Sequence, residues 1–397
     1  MKYTINLLEF ESSMIAKHSP AISTISFFNG NLIDTSTYIK ERFLEILKAN
    51  PWLNGELKKG EKKGINLVYD DNIEIDKLLF MPKDFKIASD FTYSNIILSV
   101  NDYVVKTPKD LLNTQSKVCS LVLTKTSENE FAMLFSLSHS VADGHTYYQL
   151  LNMLSQDSKV YALSVKRKHE LIPRIKESVG YDSYNYFTGL SHSLNALFGI
   201  LKAKRANVFS YYIDEEKIQT IKNSNKKTTT CPYLSTNDIL TSSYGNFIKA
   251  RLLMIAVNFR GKVKGLSEND AGNYQSYVLY DKKVYKKPCG IRKSISFFIP
   301  FQCLVDKLPS FLKGLTCKMG LITNWSSFSK ELHLQKATEK LHLPLIQSNG
   351  KVSYDMAIIF RAKQNKKAVI YYSNRFNRDD FTNADLLLKS SVSQDIF

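Results

Sequence analysis

Residues Glu130 to Leu154 read EFAMLFSLSHSVADGHTYYQLLNML. The run Phe131 to Leu137 is almost wholly apolar, with the length and character of a strand buried on both faces. Further on, Tyr147, Leu150, Leu151 and Leu154 fall three and four apart, one face of a helix. Between strand and helix stand His139, Asp143 and Gly144. An imidazole at the exit of a buried strand sits where ligand sites commonly form in sheet proteins, and it can accept a proton near neutral pH. Asp143, four residues on, need not meet the ring; it can point the other way and hold the loop by pairing with a cation. Gly144 suits a tight bend and leaves room for a substrate. By itself the stretch fits either a general base or a hydrogen-bonded core histidine. A metal set of His139, Asp143 and His145 lacks the clear zinc spacings, and no metal is expected. No Gly-x-Ser-x-Gly elbow signals a serine nucleophile.

Outward from this unit, the chain alternates strands and helices. Lys2 to Glu9, Ile22 to Phe28, Ile65 to Tyr69 and Val118 to Lys125 read as strands, and Tyr93 to Val100 is a further β-rich run. A helix carrying Ile39, Phe43, Leu44 and Leu47 is expected to start on capping side chains at Asp34 to Ser36. It stops before Pro51, because the residue ahead of a proline leaves the helical region. Trp52-Leu53 then begins a more extended stretch. Ser155 to Arg205 shows few periodic apolar positions until Leu190 to Leu201, a short apolar helix with a basic end; it fits a helix packed on the protein or an interfacial one. In the second half, Phe209 to Ile213 is a strand and Asp214 caps a helix bearing Ile218 and Ile221. Ser235 and Asp238 have capping-box spacing, with aspartate in the place of the usual glutamate. Strands are expected at Leu253 to Phe259, Tyr274 to Tyr280, Met319 to Thr323, Asp355 to Arg361 and Ala368 to Ser373, and a helix at Asp379 to Leu388.

A chain of 397 residues is too long for one ordinary core, and 44% apolar content supports two full-sized ones. The expected division is 1–165, a crossover at 166–205, and 206–397. Five scattered cysteines, never paired as C-x-x-C, argue against a zinc site or disulfide framework and for a reducing compartment. No signal peptide or membrane span is legible, so the expectation is a cytoplasmic protein, monomeric, with membrane contact only weakly indicated. The formal charge is +17, its lysines gathered in clusters such as Lys166-Arg167-Lys168 and Lys282 to Lys287. Such a field attracts phosphorylated cofactors, an acidic carrier protein or an anionic surface, or is simply a solvated face. No nucleic-acid motif accompanies it, and no nucleic acid is expected.

His139-Ser-Val-Ala-Asp143-Gly144 resembles the HxxxDG motif of the CoA-dependent acyltransferase superfamily, which includes the BAHD acyltransferases, chloramphenicol acetyltransferase and peptide-synthetase condensation domains. Other stretches agree in order. Asn50-Pro51-Trp52-Leu53 resembles the early HPxLxG helix end, and Leu234-Ser-Thr-Asn-Asp238-Ile-Leu240 the STNDxL helix start. Val257-Asn-Phe-Arg260-Gly261 is similar to the vDxRgR strand, Ala271-Gly272-Asn273-Tyr274 to the yxGN segment, and Ile322-Thr-Asn-Trp325 to the vTSW strand. Two departures stand out. Ser326 to Leu334 replaces the DFGWG segment of BAHD enzymes, and Ser138 stands where condensation domains carry a paired histidine.

The resemblance implies an α/β (α+β) fold of two chloramphenicol-acetyltransferase-like domains, each a mixed sheet flanked by helices, with a tunnel between them. It implies acyl transfer from an acyl-CoA co-substrate to a small-molecule alcohol or amine, with His139 as general base and no permanently bound cofactor. Asp143, Gly144 and Arg260 would support the site, Asp143 pairing with Arg260. Thr323, Asn324 and Trp325 would line the acceptor side, Thr323 or Asn324 as oxyanion donor. An acyl-carrier-protein donor, a lipid alcohol as acceptor, and a non-catalytic binding protein on the same fold are the alternatives.

Overall fold

The computed structural model describes residues 1–397 except 62–63, 83–86, 88–91, 203–205, 227–230, 232, 297–304, 306, 347–351, 378–379, 381–385 and 396–397. The first half contains β1 (Lys2–Asn6), α1 (Met14–Lys17), β2 (Ile22–Asn29), α2 (Leu32–Ala49), β3 (Glu56–Lys59), β4 (Ile65–Asp70) and β5 (Leu79–Phe80). It continues with α3 (Tyr93–Ser99), α4 (Pro108–Leu111), β6 (Cys119–Ser127), β7 (Glu130–Leu137) and α5 (Gly144–Asn152). Three helices follow: α6 (Ile172–Val179), α7 (Tyr181–Thr188) and α8 (Leu190–Lys202). The second half has β8 (Asn207–Ile213), α9 (Glu215–Asn225), α10 (Thr236–Ile248), β9 (Leu252–Asn258), β10 (Gln275–Tyr280), α11 (Lys282–Tyr285), α12 (Pro288–Ser296) and α13 (Phe311–Gly314). It ends with β11 (Met319–Asn324), β12 (His333–Leu334), β13 (Ala337–Leu345), β14 (Asp355–Lys363), β15 (Lys366–Ser373) and β16 (Leu387–Ser391).

Among the described residues these strands form a six-stranded sheet, β12-β13-β2-β7-β6-β5, a seven-stranded sheet, β10-β9-β11-β14-β15-β8-β16, and a small one of β1, β4 and β3. Both large sheets are mixed: β5 runs parallel to β6, and β11 runs parallel to both β9 and β14. The expected mixed α/β architecture is present, and the apolar run of β7 shows why. Phe131, Met133, Phe135 and Leu137 pack under α2 and α5, whereas Ala132 and Leu134 enter a different core. Successive side chains of a strand point to opposite faces, so a strand covered on both must be apolar throughout. The second core is shared between the sheets. Ile25 and Leu134 meet Ile358, Phe360 and Ile370 of β14 and β15 there.

Sequence patterning missed β13. It lies in the second half of the chain yet pairs antiparallel with β2, completing the first sheet. Two of its polar side chains, Glu339 and His342, are buried and matched. His342 Nδ1 shares a hydrogen bond with Ser26 Oγ (2.8 Å) and Nε2 with the Tyr148 hydroxyl (3.0 Å). Burial, helped by the Arg361 charge, pushes the His342 pKa well below its ordinary value, so the ring is neutral and can donate through one nitrogen while accepting through the other. Glu339 pairs with Arg361 of β14 at 2.7 Å, joining the two sheets.

Four local expectations are corrected. Tyr93 to Val100 is helical, not extended. Thr92 caps it by accepting from the Asn95 amide, and Tyr93, Ile96, Ile97 and Val100 are the buried positions, a helical rather than a strand period. Trp52-Leu53 lies in a tight 3-10 turn, Pro51–Asn54. Of the expected Asp379–Leu388 helix, 379 and 381–385 lie outside the described residues, and Leu387–Leu388 belong to β16. The cap of α2 is Asn31, whose side chain accepts from the Ile33 and Asp34 amides. No helix among the described residues is long and apolar enough to cross a membrane.

Because the sheets share one core, Leu343→Ala on β13 should lower stability by about 2–5 kcal/mol, the usual result of truncating a fully buried leucine. Denaturant unfolding followed by the fluorescence of the two tryptophans, Trp52 and Trp325, should coincide with unfolding followed by circular dichroism. Separated transitions would show that the halves unfold independently.

Candidate active site

The loop after β7 is held from both sides by buried ion pairs. Asp143 caps α5: its Oδ1 accepts from the Thr146 amide at 3.0 Å. Its Oδ2 accepts from Arg260 Nη1 at 2.7 Å and from the Tyr274 amide at 3.0 Å. All five Arg260 N–H groups are used. Nε donates to the Asp270 carbonyl (2.7 Å), Nη1 to Asp143 and Asn258, and Nη2 to Thr146 Oγ1 (3.0 Å) and the Gly272 carbonyl (2.8 Å). Burial opposes the Asp143 charge, but the Arg260 charge and hydrogen bond, with the Thr146 amide, outweigh it and hold the carboxyl below the usual carboxylate range.

The second pair was not legible in the sequence. Glu11 is buried; its Oε2 accepts from Arg167 Nε (2.8 Å) and the Leu8 amide (2.8 Å). Its Oε1 accepts from the Asn273 amide at 2.8 Å and from Asn273 Nδ2 at 3.2 Å. Asn273 Nδ2 also donates to the His139 carbonyl (2.8 Å), and Arg167 Nη2 donates to the Val141 carbonyl (2.9 Å). The backbone from the histidine carbonyl to Val141 is thereby pinned. Gly272, at φ +135°, is needed here, because a Cβ would stand 3.0 Å from the Arg167 guanidinium carbon. The basic cluster at 166–168 is accordingly not all an open anion site: Arg167 pairs with Glu11, and Lys168 pairs with Asp270 at 2.7 Å.

The His139 ring itself is half-buried, and no described residue hydrogen-bonds to it. His145 turns elsewhere; its Nε2 lies 3.1 Å from the Glu268 backbone oxygen and 3.3 Å from the Glu268 carboxylate.

Trp325, just past β11, brings the second sheet to the start of α5. Its indole Nε1 would stand 3.3 Å from a Cβ on Gly144, and its ring meets Tyr148 edge-on at 6.0 Å. A glycine at 144 is thus a matter of space beside the indole. Asn324 is engaged on both ends, donating to Asn237 Oδ1 (3.2 Å) and accepting from the Ser326 amide and hydroxyl. Thr323 is half-buried on β11. The structure therefore gathers Asp143, Gly144, Arg260 and Trp325; no hydrogen bond or ring contact among the described residues joins Thr323, Asn324 or Trp325 to His139. One face of α5 (His145, Tyr148, Gln149, Asn152) borders a cleft of ≈ 420 Å³ that Phe328, Lys159 and Lys330 complete.

Arg260→Ala should destabilise the fold by about 3–5 kcal/mol in denaturant unfolding, since it leaves a buried carboxylate without its cation. Asp143 has a depressed folded pKa, so its stabilisation is full at neutral pH and is lost as pH falls through that lowered value. Unfolding free energies measured from neutral pH downward should drop below about pH 4 in the wild type, and Asp143→Asn should lack that component.

No protein-family model matches the chain, and no curated protein matches it by sequence. Solved structures do. TRI101 of F. sporotrichioides, complexed with coenzyme A and T-2, superposes with TM-score 0.62 at 13% identity, covering 92% of this chain and 94% of that one. Vinorine synthase gives 0.62 at 12% identity, covering 99% and 98%. The first condensation domain of the CDA synthetase gives 0.61 at 10% identity, also covering 99% and 98%. The chain shares the mixed α/β fold of these three structures over nearly its whole length.

Proposed function

We propose that the chain transfers an acyl group from an acyl-CoA thioester to the hydroxyl or amine of a small molecule, with His139 as general base. One observation carries the reading. The two fully buried histidines are closed off from solvent: His342 bonds Ser26 and Tyr148 through its two ring nitrogens, and His192 packs among the rings of Tyr186, Phe187 and Tyr354. His139 is the reverse: its backbone is clamped by Asn273 while its half-buried ring is left without a hydrogen-bond partner among the described residues. That is the arrangement of a base awaiting an external proton donor. The fold adds support, since the TRI101 structure it resembles holds coenzyme A together with T-2.

In this scheme the imidazole takes the proton of the acceptor O–H or N–H as the oxygen or nitrogen attacks the thioester carbonyl. The tetrahedral oxyanion then collapses, breaking the carbon–sulfur bond. The imidazolium returns the proton to the departing thiolate, and no acyl-enzyme forms. A positioned base contributes on the order of 10²- to 10⁴-fold, so orientation and oxyanion donors supply the rest. Of the three residues proposed for the acceptor side, Asn324 already donates to Asn237, whereas the Trp325 indole N–H makes no hydrogen bond to a described residue. Asp143 takes no proton in this scheme. It is ionised and committed to Arg260, the amide of Thr146 and the amide of Tyr274.

Thiol release from acetyl-CoA and longer acyl-CoAs, followed with a panel of alcohols and amines, tests the proposal. His139→Ala should lose at least about 10²-fold in kcat while unfolding at the wild-type denaturant concentration. Wild-type turnover in that variant would remove His139 from the mechanism. Absence of thiol release with every donor and acceptor would favour a binding protein.

A further inference from the structure

The outer face of α8 has the wrong polarity for a helix packed on a soluble protein. Thirteen residues long, or roughly 20 Å, it is anchored by its inner side. His192 is buried, the Ser191 hydroxyl donates to the Phe311 carbonyl at 2.9 Å, and Asn195 Nδ2 donates to the Gly314 and Cys317 carbonyls. Solvent meets Leu190 (66% exposed), Leu197, Phe198 and Leu201 (65%) instead of charged residues. The neighbouring helix α13 adds Phe311 and Leu312, the latter 75% exposed. Scattered exposed leucines need no explanation, but six large apolar side chains on two adjoining helices form a contiguous patch of the kind that marks a contact surface.

Charge selects what covers it. Neither Leu190–Lys202 nor residues 307–318 contains an aspartate or glutamate, and Lys202, Lys307, Lys313 and Lys318 are exposed around the patch. The whole chain carries +17. A second copy would set one lysine-rimmed patch against another, with like charges facing. An anionic bilayer answers both features at once: apolar side chains enter the boundary between headgroups and acyl chains, and lysines meet the negative surface.

We infer that α8 and α13 form a docking face for an anionic phospholipid surface. This is independent of the acyl-transfer reading and does not involve His139 or the loop around it. Co-sedimentation of the full chain with vesicles tests it. The wild type should pellet with phosphatidylcholine vesicles containing phosphatidylglycerol, far less with phosphatidylcholine alone, and less as salt rises. Leu197→Ser with Leu201→Ser, both on the solvent side, should lower the partition coefficient about tenfold or more, with an unchanged circular dichroism spectrum. Lys313→Glu should weaken binding to the anionic vesicles alone. The inference fails if the wild type stays in the supernatant or if the double variant binds as tightly as the wild type. It also fails if sedimentation shows a dimer that the double variant dissolves, which would give the face to a second copy.

Discussion

Everything around His139 depends on placing charges where water is absent. Asp143 and Arg260 are both buried, and removing two ions from water is costly enough that their mutual attraction alone rarely compensates. The remaining hydrogen-bonding capacity is therefore filled, down to the last guanidinium N–H. A pair satisfied this completely has one low-energy placement, and each partner group is placed with it: the start of α5, the end of β9 and the segment from Asp270 to Tyr274. The Glu11–Arg167 pair repeats the device on the other side of that segment, taking the Ala271 carbonyl where Arg260 takes that of Gly272. The histidine loop is suspended between two such clamps.

Both halves of the chain are needed for this geometry. Arg260, Asn273 and Trp325 come from the second half and meet a loop from the first. Helix α5 is held over the first sheet by the Tyr147 hydroxyl, which bonds the Phe135 carbonyl and Thr24, and over β13 by Tyr148 and His342. The borrowed strand thus steadies the helix that follows the histidine.

Local pattern carried the parts whose environment follows from their own residues. β7 was legible because burial on both faces demands an unbroken apolar run. The α10 start was legible because Ser235 and Asp238 satisfy each other's backbone within one turn. Tyr93 to Val100 misled because Ile-Ile favours strands locally, while its burial follows a helical period set by the shared core. β13 was hidden by Glu339, His342 and Pro344, residues that argue against a buried strand until Arg361, Ser26 and Tyr148 are brought to them from elsewhere. Arg167 failed for the same reason: nothing near it in sequence distinguishes a buried guanidinium from the exposed Lys166 or the half-buried Lys168 beside it. The mate of Asp143 came from motif order, which encodes a long-range contact that periodicity does not.

The pairing of β13 with β2 also has a consequence in time. During synthesis β7 ends at Leu137 and β13 at Leu345, a separation of 345 − 137 = 208 residues. At about 5–20 residues per second, a ribosome takes roughly 10–40 s to cover that distance. Through that interval one edge of β2 has no neighbour, and the apolar face formed by Ile25 and Leu134 lacks the cover that Ile358, Phe360 and Ile370 later give it, with only first-half residues such as Ile96 and Val100 against it. The nascent first half is thus an open sheet awaiting β13, dependent on whatever shields such edges in the cell, and it closes only once that distant strand has been made.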